Sequence, residues 1–329
     1  MSMIRRCLAL ILSSCAVLSA GCGQNAQVGD EEGNQMKQTN IGFYTAESSV
    51  VDVMNDPVFG DFGRLLLPAE EYYWSGETLG SLRLTWYNYV NADKTVEIVN
   101  TLHNWAANGE QIFFDIYTDE EKAADPAKKD TGLFFFRGTP GAKFAVCNAG
   151  GGFAFVGAMH DSFPHALELS KKGYNAFALI YRPGAQTACE DLARAVAFIF
   201  EHADQLQVDV SDYSLWGGSA GARMAAWLGS YGTESFGEDA YPRPAAVIMQ
   251  YTGLSEVYGN EPPTYNCVGT ADGIASWRTM QRRIDAIKRN GTDAKIDIYE
   301  GLPHGFGLGI GTVAEGWIDK AVAFWERQM

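Results

Sequence analysis

The distribution of apolar residues divides the chain into three stretches. A first apolar run, Leu8 to Ala20, stands alone near the N-terminus and is too short to cross a bilayer. Polar residues and glycine dominate from Gly23 to about Gln38. Residues 40–94 are rich in aromatics, such as Tyr44, Phe59, Tyr73, Trp86 and Tyr87, but show no clear period. From about Thr95 the pattern becomes regular. Val96, Val99, Leu102, His103 and Ala106 recur at helical spacing and stop near Asn108-Gly109. Gln111–Tyr117 has a strand pattern, and Asp119–Asp130 is a polar connection. Leu133–Arg137 and Lys143–Asn148 are short apolar runs bounded by glycine and proline.

Beyond that point strands and helices alternate. The spacing predicts helices at about 161–172, Ala188–Ala203, Ala220–Gly229, Ser276–Arg289 and Val313–Arg327. Between them lie strand patterns at Ala176–Tyr181, Tyr213–Trp216, Ala245–Gln250, Thr264–Gly269 and Lys295–Tyr299. Such alternation predicts an α/β fold with a mostly parallel central sheet and helices on both faces. Near-continuous apolar strands, such as Ala246-Val247-Ile248-Met249, suit a sheet buried on both sides. Residues 40–110 are then an N-terminal extension, too apolar for a linker, that could serve as a partial cap.

The first stretch reads as an address. Arg5 and Arg6 precede the apolar run, and Ser19-Ala20-Gly21 lead into Cys22. This arrangement resembles the lipobox of bacterial lipoproteins. The resemblance implies a signal peptide over residues 1–21, lipidation of Cys22, and an exported protein anchored to a membrane by lipid alone. Residues 22–39 would be a flexible tether. Cys147, Cys189 and Cys267 are the cysteines left for the body, and they read as small buried residues. Their spacing matches no metal site.

Composition narrows the function classes. With 25 Lys plus Arg against 40 Asp plus Glu, the formal charge over 329 residues is −15. No electrostatic footprint for nucleic acid is expected. A hydrophobic share of 47% and a charged share of 20% are globular proportions.

Gly217-Gly218-Ser219-Ala220-Gly221 is the one G-x-S-x-G in the chain. A strand pattern precedes it and an apolar helix pattern follows, the setting a nucleophile elbow requires. Glycines flank the serine because side chains there would collide in so tight a turn. A serine hydroxyl needs a base. Of the five histidines, His304 alone follows Ser219, in Gly301-Leu302-Pro303-His304-Gly305-Phe306-Gly307. The acid that orients it should lie between the two. Asp272 is best placed, in a turn after the Thr264–Gly269 strand, with Asp297 and Glu300 as alternatives. Asn148-Ala149-Gly150-Gly151-Gly152-Phe153 follows a strand, and its glycines leave backbone N–H groups free to face a ligand. Two of them with the N–H of Ala220 would hold a tetrahedral oxyanion. No Lys-Ser/Thr follows, which excludes a P-loop. His160, Asp161 and His165 hint at a polar site next to this loop.

Together these motifs resemble the α/β-hydrolase superfamily over residues 111–329. More narrowly they resemble its esterase branch of hormone-sensitive-lipase-like and bacterial feruloyl and acetylxylan esterases. Tyr181-Arg182-Pro183, Glu190-Asp191, Asp272-Gly273 and His304-Gly305-Phe306 stand where that branch has its motifs. Ala149 stands where a histidine precedes the glycines in the family. The resemblance implies a catalytic triad of Ser219, Asp272 and His304, oxyanion donors Gly150, Gly151 and Ala220, and no metal or cofactor. The implied partner is a small-molecule or polysaccharide-linked ester. A serine peptidase of the same fold and a non-catalytic surface binding protein are the alternatives.

Overall fold

The computed structural model describes residues 43–87 and 90–329. The leader, Cys22 and the tether lie outside the described residues.

Two elements open the described chain: a short helix, α1 (Val50–Met54), and a 3-10 segment, Pro57–Leu66. A two-stranded ribbon follows, β1 (Trp74–Ser75) and β2 (Arg83–Leu84), and then α2 (Ala92–Ala107). Asn91 caps α2 by accepting the N–H of Lys94 (2.8 Å), which satisfies one of the open amides of the first turn. The main sheet is built from β3 (Phe113–Phe114), β4 (Gly132–Phe136), β5 (Lys143–Asn148), β6 (Asn175–Ile180) and β7 (Asp209–Gly218). It is completed by β8 (Ala246–Gln250), β9 (Thr264–Gly269) and β10 (Ala294–Tyr299). The remaining helices are α3 (Asp119–Ala124), α4 (Ser162–Lys171), α5 (Ala185–Glu201), α6 (Ala203–Leu206), α7 (Ala220–Tyr231), α8 (Trp277–Arg289) and α9 (Trp317–Glu326).

The eight strands run in the order β10-β9-β8-β7-β5-β6-β4-β3. The six from β10 to β6 are parallel, and β4 and β3 add an antiparallel edge. The sheet is the mostly parallel, helix-covered α/β sheet expected from the sequence. Leu133, Phe134, Phe135 and Phe136 are wholly buried in β4, as both faces of a covered sheet require.

Several boundaries differ from expectation, each for a local reason. The strand expected at Gln111–Tyr117 is paired only at Phe113–Phe114. Its partner β4 begins at Gly132, so no residue of β4 lies opposite the chain beyond Asp115. The polar connection at Asp119–Asp130 holds α3, started by a capping box between Thr118 and Glu121. The last helix starts at Trp317 instead of Val313 because Gly316 (φ 79°) turns the chain before it. β7 is longer than expected, and its register with β5 slips between Lys143 and Ala145.

Residues of the N-terminal part share the core of the sheet. Phe59, Leu65, Ile98, Val99 and Leu102 belong to the same buried cluster as the strands. Phe62 stacks on Phe113 at 5.1 Å and meets Phe134 edge-on at 5.7 Å. Cys147, Cys189 and Cys267 are free and buried. Burial pushes the Cys189 thiol up to about 12, which keeps it protonated and inert.

Candidate active site

The site forms at the carboxyl ends of β7, β8 and β9, where a parallel sheet opens a crevice. β7 ends at Gly218, and Ser219 sits between strand and α7 with φ 51° and ψ −113°. Few non-glycine residues occupy that region, and strain of this kind gathers at functional sites. The elbow is tight enough to demand glycine. A Cβ on Gly217 would lie 2.2 Å from the Gly221 carbonyl carbon, and one on Gly221 would lie 2.1 Å from the Asn148 oxygen. α7 starts directly behind the hydroxyl, and its dipole favours negative charge there.

Three side chains distant in sequence meet. His304 Nε2 lies 3.1 Å from Ser219 Oγ. Its Nδ1 lies 2.8 Å from Asp272 Oδ2. Asp272 is fully buried at its side chain, and its Oδ1 accepts the N–H groups of Ile274 (2.8 Å) and Ala275 (2.6 Å). Those two bonds fix the carboxylate before the imidazole arrives. The alternatives lie elsewhere: Asp297 accepts the Tyr265 hydroxyl (2.7 Å) on β10, and Glu300 is exposed.

The loop after β5 stands beside the serine. A Cβ on Gly150 would lie 2.9 Å from the Ser219 Cβ. Gly151, Gly152 and Phe153 all have positive φ (128°, 64° and 60°). One expectation is corrected here. The N–H of Gly150 donates to Asp161 Oδ2 (2.8 Å) and is not free for a substrate. The amides of Gly151, Gly152 and Ala220 make no hydrogen bond among the described residues. The carbonyls of the loop are held from behind: Ala149 O accepts the Tyr181 hydroxyl (2.7 Å), and Gly150 O accepts the Gly157 N–H (2.9 Å).

His160, Asp161 and His165 are buried (6%, 0% and 1% exposed), so they lie beneath the loop and do not line an open polar site. Nε2–H of His160 donates to the Gly305 carbonyl (2.7 Å). Burial pushes His165 down to about 4, well below the ordinary histidine value near 6.5. Both its ring nitrogens lack a hydrogen-bond partner among the described residues, and the nearby Asp161 charge offsets only part of the cost of charging it. The consequence for stability has a definite sign. Above pH 6.5 the ring is neutral folded or unfolded, and its full contribution is present. Between pH 6.5 and 4 the unfolded chain binds a proton the folded chain refuses, so stability falls as pH falls. The slope reaches about 1.4 kcal/mol per pH unit from this one group. Thermal melts across that window should show it, and His165→Gln should flatten it; an unchanged slope would contradict the assignment.

Sequence reasoning missed Gly152, Tyr87 and Tyr251. Tyr87 and Tyr251 are buried (7% and 0% exposed), and their hydroxyls reach Asp161. No motif flags them. Trp86 was visible only as one aromatic among many. It is 57% exposed, with φ 69°, and packs with Phe155 (5.4 Å), which stacks on Tyr73 (4.4 Å). A Cβ on Gly152 would lie 3.1 Å from the Trp86 ring. One exposed ring, Trp86, backed by the buried Phe155, therefore borders the glycine loop.

Comparisons with known proteins point to the same fold. Residues 139–261 match the BD-FAE family model, a span that holds the glycine loop and Ser219. No curated protein matches the chain. Among solved structures, a thermophilic esterase from Thermogutta terrifontis, bound to propionate, is similar with a TM-score of 0.54 and 23% identity. The match covers 60% of this chain and 89% of that one. An acetyl ester-xyloside bifunctional hydrolase from Caldicellulosiruptor lactoaceticus gives a TM-score of 0.58 at 20% identity, over 65% and 95% of the two chains. The Thermogutta terrifontis esterase phosphorylated by paraoxon is also similar (TM-score 0.51, 21% identity, 60% and 86% covered). With its sheet order, its elbow and these neighbours, the chain has the α/β-hydrolase fold.

Proposed function

We propose that the protein is a serine hydrolase of carboxylic esters, working through an acyl-enzyme. The observation that carries this reading is the continuous line Asp272–His304–Ser219, with contacts of 2.8 and 3.1 Å. In the resting state the Nδ1–H of His304 donates to Asp272, which leaves Nε2 as acceptor for the Ser219 hydroxyl proton. Ser219 Oγ attacks the ester carbonyl, and its proton passes to Nε2. The carbonyl oxygen, now negative, takes hydrogen bonds from the amides of Gly151, Gly152 and Ala220. His304 then protonates the leaving alcohol. Water repeats the sequence on the acyl-enzyme and releases the acid. Each step uses groups of this chain, so no metal or cofactor is called for.

The finer reading is an ester of small acyl groups or of acetyl or feruloyl type on a polysaccharide. The BD-FAE match and the Caldicellulosiruptor neighbour support it. So does Trp86 beside the glycine loop, since an exposed aromatic face suits a planar or sugar ring.

A series of p-nitrophenyl esters from acetate to palmitate tests the reading, with acetylated xylo-oligosaccharides and feruloyl esters beside it. Turnover of short esters, with covalent capture of Ser219 by a fluorophosphonate, is the expected result. Amide cleavage with no ester turnover would favour the peptidase alternative. Neither turnover nor labelling would leave a binding protein.

The leader sequence supports an exported protein held to a membrane through lipid on Cys22. Metabolic labelling with a radioactive fatty acid in a bacterial host should mark the wild type and not Cys22→Ser. Equal labelling of both would remove Cys22 as the anchor.

A further inference from the structure

Behind the glycine loop lies a buried carboxylate that no step of ester hydrolysis uses. Asp161 is wholly buried, just before α4. Its Oδ2 accepts the N–H of Gly150 (2.8 Å) and the hydroxyl of Tyr87 (2.7 Å), and its Oδ1 accepts the hydroxyl of Tyr251 (2.5 Å). Among the described residues the candidate cation beside it is His160, with Nε2 4.0 Å from Oδ1. Burial lowers its pKa and keeps the ring neutral. The charge is therefore held by three neutral donors from three segments: the glycine loop, the N-terminal segment and the loop after β8. Those donors together offset the cost of burying the carboxylate.

Tyr87 occupies a slot made for it. A Cβ on Gly150 would lie 2.4 Å from its hydroxyl, on Gly157 2.9 Å from its Cε2, and on Gly305 3.0 Å from its Cδ1. Gly305 is the neighbour of His304, so one phenol touches the glycine loop on one side and the histidine loop on the other. The ring also packs against His160, with centroids 4.4 Å apart. Burial and the charge on Asp161 push the Tyr87 hydroxyl well above its ordinary pKa, so it stays a donor.

We propose that Tyr87 is a positioning residue of the oxyanion hole, acting through Asp161. The clamp rests on the serine-esterase reading above. Asp161 pins the amide of Gly150, and the positive-φ turns that follow then carry the amides of Gly151 and Gly152 around toward Ser219. A backbone with φ of 60° at Phe153 is not one the chain adopts unaided, and the clamp supplies what holds it. The segment carrying Tyr87 is accordingly part of the catalytic centre and not a detachable cover.

Tyr87→Phe keeps the ring and removes one donor. For p-nitrophenyl acetate, kcat should fall 10- to 100-fold with KM within 2-fold of wild type. A trifluoromethyl ketone gives a second readout. Ser219 Oγ bonds to its carbonyl carbon, the Oγ proton goes to His304, and the carbonyl electron pair becomes an alkoxide in the hole. Its Ki should rise by the factor that kcat falls, while the melting temperature moves by a few degrees at most. In a double-mutant cycle, Tyr87→Phe should add little to Asp161→Asn, because both act on one network. If Asp161→Asn fails to fold, Tyr251→Phe takes its place. A kcat and Ki within 2-fold of wild type would overturn the clamp and leave the esterase reading standing, as would losses that only track melting temperature. A wild type that neither turns over esters nor takes a fluorophosphonate on Ser219 would overturn both.

Discussion

Replacing Ser219 by alanine should lower kcat for a short acyl ester by about 10^5 to 10^6, while the fold survives. The hydroxyl is the one nucleophile placed against His304, at 3.1 Å, and no base-activated substitute lies beside it among the described residues. What remains after its loss is binding and oxyanion stabilisation, which still favour attack by water, so the residual rate should stay above the uncatalysed one. The structural cost is small. Alanine meets the same φ of 51° that serine already bears, and the backbone N–H of residue 219 keeps its bond to the Gln250 carbonyl (3.0 Å). Steady-state kinetics with thermal melts of both proteins would check this. Activity within ten-fold of wild type would mean that the nucleophile is elsewhere.

Asp272→Asn should lower kcat by about 10^4 with KM little changed, and the reason lies in which protons face the side chain. Oδ1 accepts two backbone N–H groups, from Ile274 and Ala275. An asparagine must turn its carbonyl oxygen to those donors, which leaves its NH2 facing His304 Nδ1. Nδ1 then has to accept, and the ring proton moves to Nε2, where it faces the Ser219 hydroxyl. The imidazole is left in the tautomer that cannot act as a base. The ground-state complex loses nothing, hence the unchanged KM. Were Asp297 or Glu300 the true acid, Asp272→Asn would keep activity within about ten-fold of wild type. Measuring kcat for Asp272→Asn, Asp297→Asn and Glu300→Gln side by side separates the cases.

Both predictions concern residues that can be read from the chain, and the reason is local. A nucleophile elbow needs a strand, a strained serine and a helix in succession, with glycine where side chains would collide, so its whole specification lies within a dozen positions. His304 and Asp272 follow strand patterns and sit among turn residues, which marks them as strand-end groups. The alternation of apolar runs was enough for the parallel sheet, because buried strands and amphipathic helices differ in period.

Other features have no local signature. β4 runs antiparallel to both its neighbours, β3 and β6, yet an apolar run reads the same in either direction. Gly150 and Gly151 are both glycines after a strand. Only the position of Asp161, eleven residues on, decides that the amide of Gly150 is taken and that Gly152 is left open. Tyr87 was one aromatic in a stretch without period. It becomes part of the site through an interaction across 74 positions. His165 looked like a polar hint near a loop and is buried in the core, where desolvation disfavours its charged form.

The sequence by itself determined the layered α/β architecture, the elbow at Ser219 and the serine–acid–histidine order, since each depends on neighbours in the chain. The tertiary structure alone decided which amide of the glycine loop is already paired, which tyrosines hold Asp161, and how the N-terminal segment reaches the centre. Those are questions of which groups satisfy which buried donors and acceptors, and hydrogen bonds in a folded core pair atoms by proximity in space, whatever their distance along the chain.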